Sequence, residues 1–224
     1  MKKIMLLFAG IMIGIISAKA QESAIQPAKK FFVSVAGGPS FPVGTFESKN
    51  ANVTNNSTSG FAKTGFNINL HVGYQLHENF GIVSHLLFSQ YKLDVSKFTD
   101  VKVSTDHWKY YGIVAGPMVT LPTGQNARFD FKALAGVANV NSPGVTVDGS
   151  NYFKEQWSAA FAMQFGTDFR YNLTESLYLI ANVDYTYMKP KFNVPAPGEG
   201  VTFTHNPRQE MEHINVTGGI GINF

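Results

Sequence analysis

Eight segments of alternating apolar and polar side chains, joined by connections that are long and short in strict turn, predict an all-β fold. The predicted class is an eight-stranded antiparallel up-and-down transmembrane β-barrel with four long extracellular loops and three short periplasmic turns. Three observations carry this. The end of the chain, MEHINVTGGIGINF, puts Ile214, Val216, Gly218, Ile220, Ile222 and Phe224 on one side, and His213, Asn215, Thr217, Gly219, Gly221 and Asn223 on the other. A period of two with one apolar and one polar face is a strand between two solvents. Aromatics are 13% of the 224 residues, charged residues only 15%, and the 21 glycines are spread through apolar segments, a mixture suited to many strands rather than a helical bundle. The even strand count, with short turns at one rim and long loops at the other, returns both termini to the periplasmic side.

Residues 1–20 read as a cleaved signal peptide. Lys2 and Lys3 precede an apolar run over 4–16, and Ala18-Lys19-Ala20 offers a small-x-small cleavage site before Gln21. The run is shorter than the roughly 20 apolar residues of a spanning helix, and no cysteine follows it to carry a lipid anchor. Losing this segment removes Lys2, Lys3 and Lys19 and no acid, so 15 basic residues face 15 acidic ones. A neutral chain has no electrostatic basis for binding nucleic acid. With no cysteine there is no disulfide framework. Residues 21–30 form a short periplasmic lead, and 31–224 a single barrel domain.

The first strand runs from 31 to about 41, with Phe31, Val33 and Val35 opposite Ser34, Ala36 and Gly38. Residues 42–62, polar and rich in Asn, Ser, Thr and Gly, form the first long loop. Over 63–76 the alternation is cleanest: Phe66, Ile68, Leu70, Val72, Tyr74 and Leu76 against Asn67, Asn69, His71, Gly73 and Gln75. After the turn at 77–79 the chain returns over 80–92, where Val83 and Leu87 blur the pattern of Phe80, Ile82, Leu86 and Phe88. A polar loop covers 93–106. The fourth strand, 107–121, shows Tyr111, Ile113, Ala115, Val119 and Leu121 outward, and Pro122-Thr123-Gly124-Gln125-Asn126 has turn chemistry.

In the fifth strand, 127–140, Phe129, Phe131, Ala133, Ala135 and Val137 point out, and Arg128, Asp130 and Lys132 point in. A third loop spans 141–155. The sixth strand, 156–171, puts Trp157, Phe161, Phe165, Phe169 and Tyr171 outside and Gln164, Asp168 and Arg170 inside. Following a turn at 172–176, the seventh strand to 188 sets Leu179, Val183 and Tyr185 against Asn182, Asp184 and Thr186. A proline-stiffened loop over 190–210 leads to the closing strand. The recurrence of Gly73, Gly116 and Gly166 imitates a propeller period, but propeller blades lack the long–short alternation. A soluble barrel would hide its apolar face, and this face is too aromatic for an eight-stranded lumen.

The run Val35-Ala36-Gly37-Gly38-Pro39-Ser40-Phe41-Pro42, the Gly73-Tyr74-Gln75-Leu76 stretch before the first turn and the Gly221-Ile222-Asn223-Phe224 terminus resemble the small outer-membrane β-barrel proteins widespread in Bacteroidota, often labelled PorT-like or "porin family". The architecture is also similar to OmpX and to the OmpA transmembrane domain. The resemblance covers nearly all of 31–224. It implies a barrel in the outer membrane of a Gram-negative bacterium; the expectation joined to it is a non-enzymatic protein in contact with outer-membrane lipid and lipopolysaccharide. It further implies that the barrel-assembly machinery reads Phe224 as an insertion signal. It supplies no catalytic set, cofactor or metal.

Among the inward residues, Arg128, Asp130, Lys132, Asp168, Arg170 and Asp184 are the main constellation. Eight strands enclose an interior that side chains just fill, and buried charges must be paired, so a salt-bridged plug is expected; a selective pore is the alternative. Crossed pairs are predicted, Arg128 with Asp168 or Asp130 with Arg170, with Lys132 and Asp184 a layer further in. His71, His85 and His213 also point inward, with Glu210 and Glu212 near His213, but without the spacing of a metal motif, so hydrogen-bonded lumen residues are expected. Ser142, Ser150 and His205 lie in loops without a recognisable catalytic arrangement. The function expected is envelope structure or surface interaction through the outer loops, including an envelope or surface protein as partner. The alternatives are a narrow solute pore and a lipid A-modifying enzyme.

Overall fold

The computed structural model describes residues 30–49, 59–96, 103–147, 150–192 and 208–224. The expected signal peptide, and all of the lead except Lys30, lie outside the described residues. Eight long strands form the barrel: β1 (Phe31–Val43), β2 (Gly65–His77), β3 (Phe80–Lys92), β5 (His107–Pro122), β6 (Ala127–Ser142), β9 (Gln156–Asn172), β10 (Leu177–Met188) and β11 (Met211–Asn223). Their order around the closed sheet is β1-β11-β10-β9-β6-β5-β3-β2. Every pairing is antiparallel. Closure is made by the two ends of the barrel domain, where the Phe224 amide donates to the Phe31 carbonyl at 2.8 Å. A sheet closed on itself has no open edge, so its backbone groups are satisfied without water.

The period-two pattern holds along all eight strands. Val35, Ile68, Leu86, Ile113, Phe131, Phe165, Val183 and Val216 are exposed on the outer wall, while the inward positions between them are buried or partly buried. The blur in β3 resolves as well: Val83 and Leu87 point into the lumen and are almost fully buried. Aromatics ring the wall at both ends. Tyr74, Phe80, Phe129, Phe169, Tyr171 and Phe224 are exposed near the short turns, and Phe66, Phe88, Tyr111, Trp157 and Tyr185 near the long loops. So continuous an apolar belt between aromatic girdles is a surface suited to lipid. Among the described residues no helix is long and apolar enough to cross a membrane.

The long connections are more ordered than the sequence predicts. The expected loops 93–106 and 141–155 contain β4 (Val103–Thr105), β7 (Val145–Val147) and β8 (Ser150–Phe153), which pair as a separate sheet in the order β4-β7-β8. These strands are three or four residues long, and β4 pairs with a loop about 40 positions away, so local periodicity cannot reveal them. The expected loop 42–62 also begins late: β1 runs on to Val43, and one helical turn, α1 (Gly44–Glu47), follows. Gly44 enters that turn at φ +62, a conformation glycine adopts without Cβ strain.

The filled lumen as the candidate functional site

Near the short-turn rim the lumen has a charged floor. Register places Arg128 opposite Arg170 and Asp130 opposite Asp168 on β6 and β9. Like charges directly opposed are unfavourable, and the side chains resolve this by pairing diagonally. The Arg170 guanidinium binds the Asp130 carboxylate, and Lys132 Nζ binds Asp168. Lys132 also reaches Asp184 on β10 at 2.9 Å. Arg128 does not meet Asp168; it lies 3.9 Å from Asp130 on its own strand. The stagger of neighbouring strands favours one diagonal over the other, which alternation alone cannot specify.

Neutral partners complete this floor. Thr120 Oγ1 donates to Asp130 at 2.5 Å, and Asn182 Nδ2 donates to Asp168 at 2.6 Å. Arg170 lies 4.0 Å over the centre of the Phe32 ring, so the guanidinium has an aromatic face as well as a carboxylate. Phe32 in turn covers Gly73 on β2, where a Cβ would fall 2.0 Å from the ring. Asp130, Lys132, Asp168, Arg170 and Asp184 are all at least 95% buried, so each owes its charge to these partners.

Above the charges lies a hydrogen-bonded middle. His71 and His85, directly opposed on β2 and β3, stack with ring centres 3.8 Å apart and planes 10° from parallel. His85 Nδ1 is 2.7 Å from Gln164 Oε1, and Gln164 Nε2 donates to Thr186 Oγ1 at 3.1 Å. Asn215 Nδ2 also donates to Thr186, and Ser40 donates to Asn215 Oδ1 at 2.5 Å. A polar chain therefore crosses the lumen from β3 to β1.

The outer end of the lumen is aromatic, which the sequence analysis missed. Tyr91, Trp108 and Tyr110 point inward from β3 and β5. Phe46 of α1 enters this ring and is fully buried, 5.1 Å from Tyr91, 5.8 Å from Trp108 and 6.5 Å from His213. Phe192, in the last long loop, packs 5.7 Å from Trp108. The available signal was an isolated large apolar residue within an otherwise polar stretch. His213 is hydrogen-bonded to the Tyr110 hydroxyl at 2.6 Å, not to the nearby acids. Those acids have other partners: Glu210 binds Lys189 at 2.6 Å, and Glu212 accepts from the Tyr185 hydroxyl.

At the mouth, Asp94 ties the first two long loops together. It binds Lys49, and its other oxygen lies 3.3 Å from Lys63. Lys49 and Ser96 hold the Asp94 carboxyl well below the usual carboxylate range. Phe61 is held there at φ +49, an uncommon conformation for a bulky residue, with its carbonyl accepting the Asp94 amide at 2.6 Å. Of the loop residues considered for catalysis, Ser142 Oγ accepts the Gln156 amide at 3.1 Å. The Ser150 side chain and His205 lie outside the described residues. Phe224 sits exposed at the short-turn rim beside Phe31.

A closed antiparallel barrel of eight strands, apolar outside and filled inside, is the architecture of the small outer-membrane β-barrels. The attachment invasion locus protein Ail of Yersinia pestis shares it at a TM-score of 0.52 and 13% identity, over 88% of this chain and 99% of that one. A major outer membrane protein from Thermus thermophilus matches at 0.50 and 15% identity, over 87% and 98%. At these identities the likeness concerns the fold. No family model and no curated protein matches the sequence.

Proposed function

We propose that this protein is a non-enzymatic outer-membrane barrel that acts at the cell surface through its long loops, with a lumen closed to ions. The observation that carries this reading is the lumen's filling along its length, from the Asp130–Arg170 floor to Phe46 at the mouth. An interior occupied by paired charges and packed rings leaves the outer wall and the loops as the working surfaces. At the long-loop end of β3 and β5, Lys92 lies opposite His107 and Lys109 opposite Gln90 on the outward face, just beyond Phe88 and Tyr111. Cations above an aromatic girdle suit the phosphates of lipopolysaccharide. The PorT-like kinship and Phe224 as the signal for the barrel-assembly machinery belong to the same reading and rest on the short motifs given above. An envelope or surface protein contacting the long loops completes it.

Purified protein in a planar bilayer should show little steady conductance. A stable current in the wild type, unchanged by Asp168→Ala, would overturn the closed lumen in favour of a pore. A lipid A mass profile that depends on the protein would instead make it an enzyme. Binding to lipopolysaccharide vesicles should weaken in a Lys92→Ala/Lys109→Ala double variant, and unchanged binding would remove this face from the proposal.

A further inference from the structure

We propose that His71, His85 and Asp168 form a binding site for a first-row divalent cation of the zinc type, bracing β2 and β3 against β9 across the lumen. One ring nitrogen from each histidine and a carboxylate oxygen of Asp168 lie within 4.8 Å of one another. All three residues are at least 97% buried.

The histidines offer donor atoms that the protein does not otherwise use. Both nitrogens of His71, and Nε2 of His85, have no hydrogen-bond partner among the described residues. Other buried lumen atoms, among them Asn69 Nδ2 and Oδ1 and His213 Nδ1, also lack a hydrogen-bond partner among the described residues, but the stacked imidazoles are the ones gathered with a carboxylate at metal-ligand spacing. His85 is also oriented as a ligand requires. Gln164 Nε2 is directed at Thr186, which turns Oε1 toward His85 Nδ1. Nδ1 therefore carries the proton and Nε2 presents a lone pair, the arrangement in which an outer hydrogen bond sets a metal-ligating histidine. Two imidazoles and one carboxylate match zinc and its neighbours, and not calcium or magnesium, which take oxygen ligands.

The local charges define how a cation would enter. Lys132 holds both Asp168 and Asp184, and Asn182 already donates to Asp168. A cation at Asp168 competes with the Lys132 ammonium, whose remaining partner is Asp184. Arg128, Lys132 and Arg170 already match Asp130, Asp168 and Asp184 in number, so an entering cation must displace the Lys132 ammonium from Asp168. The two rings must also turn out of their parallel stack, because both lone pairs have to converge on one ion at about 2.0–2.1 Å. Loss of the stack therefore accompanies binding.

The test uses Co²⁺ as a spectroscopic stand-in, supplied during refolding into detergent so that burial does not block entry. Folded barrel isolated by gel filtration should retain one Co²⁺ per chain with visible ligand-field absorption. His71→Gln and His85→Gln should each weaken retention by about 100-fold or more. Lys132→Met, which removes the competing ammonium, should strengthen it. No retained Co²⁺, or equal retention in the His71→Gln/His85→Gln double variant, overturns the site. Weaker retention in Lys132→Met removes Asp168 as a ligand and overturns the proposal in this form. Should the histidine variants fail to fold, the wild-type protein decides: paramagnetically shifted imidazole N–H signals from two histidines are expected, and their absence overturns it.

Discussion

Lys132 on β6 reaches Asp184 on β10 although β9 runs between them, because the residue at that point on β9 is Gly166. Gly166 is the register partner of both Lys132 and Asp184. A Cβ there would fall 2.0 Å from Asp184 Oδ1 and 2.6 Å from the Val183 carbonyl. The glycine gap is what lets a 2.9 Å ion pair span three strands.

Gly166→Ala should therefore destabilise the barrel by about 1–3 kcal/mol, as overpacking does elsewhere. Urea unfolding in detergent, followed by the loss of heat-modifiable mobility, measures this. An unchanged midpoint would show that Asp184 moves aside at no cost and that the gap is incidental.

The floor's two carboxylates should differ in importance. Asp130 serves both guanidiniums, whereas Lys132 retains Asp184 when Asp168 is removed. Asp130→Ala should cost about 3–5 kcal/mol, the range for an uncompensated buried charge, and Asp168→Ala less. The reverse order in parallel unfolding experiments would contradict the pairing described.

Phe46→Ala should remove the centre of the outer aromatic cluster. A buried Phe→Ala change costs about 3–5 kcal/mol where neighbours cannot collapse. Because Phe46 is carried by a single helical turn, part of that loss should appear as local opening of the mouth. Faster proteolysis at 42–62, with the strands still protected, is the expected result; uniform protection would place the plug elsewhere.

Acidification should loosen the same loops. The carboxyl of Asp94 titrates lower in the folded protein than in the unfolded chain, where an aspartate has a pKa of about 3.9. Its contribution is fully present above that value and is lost as pH falls through the depressed folded value. Half-exposed Lys49 and Lys63 make the link sensitive to salt. Protease susceptibility of 42–62 should rise below about pH 4 in the wild type and already be raised, with a weaker pH response, in Asp94→Asn. Identical profiles for the two proteins would dismiss Asp94 as the tether.

On intact cells, protease should cut within 42–62, 93–106, 141–155 and 190–210 and spare the turns at 77–79, 122–126 and 172–176. Cleavage confined to the turns would invert the orientation assigned to the barrel.

The sequence by itself determined which residues face lipid and which face the lumen. A strand's side chains alternate with a period of two, so Phe66-Asn67-Ile68-Asn69 carries its facing within four residues, and the long–short spacing then orders the strands. It also limited the charged floor to six inward residues. Only the tertiary structure decided which of them meet. Asp130 takes Arg170 while Arg128 stays on its own strand's carboxylate, because the stagger between β6 and β9 selects one diagonal. The same holds for His71 against His85, for Phe46 beneath Trp108, and for β4 beside β7. Apart from Arg128 with Asp130, these contacts join residues 14 to about 60 positions apart, and nothing in a local repeat records the register that brings them together.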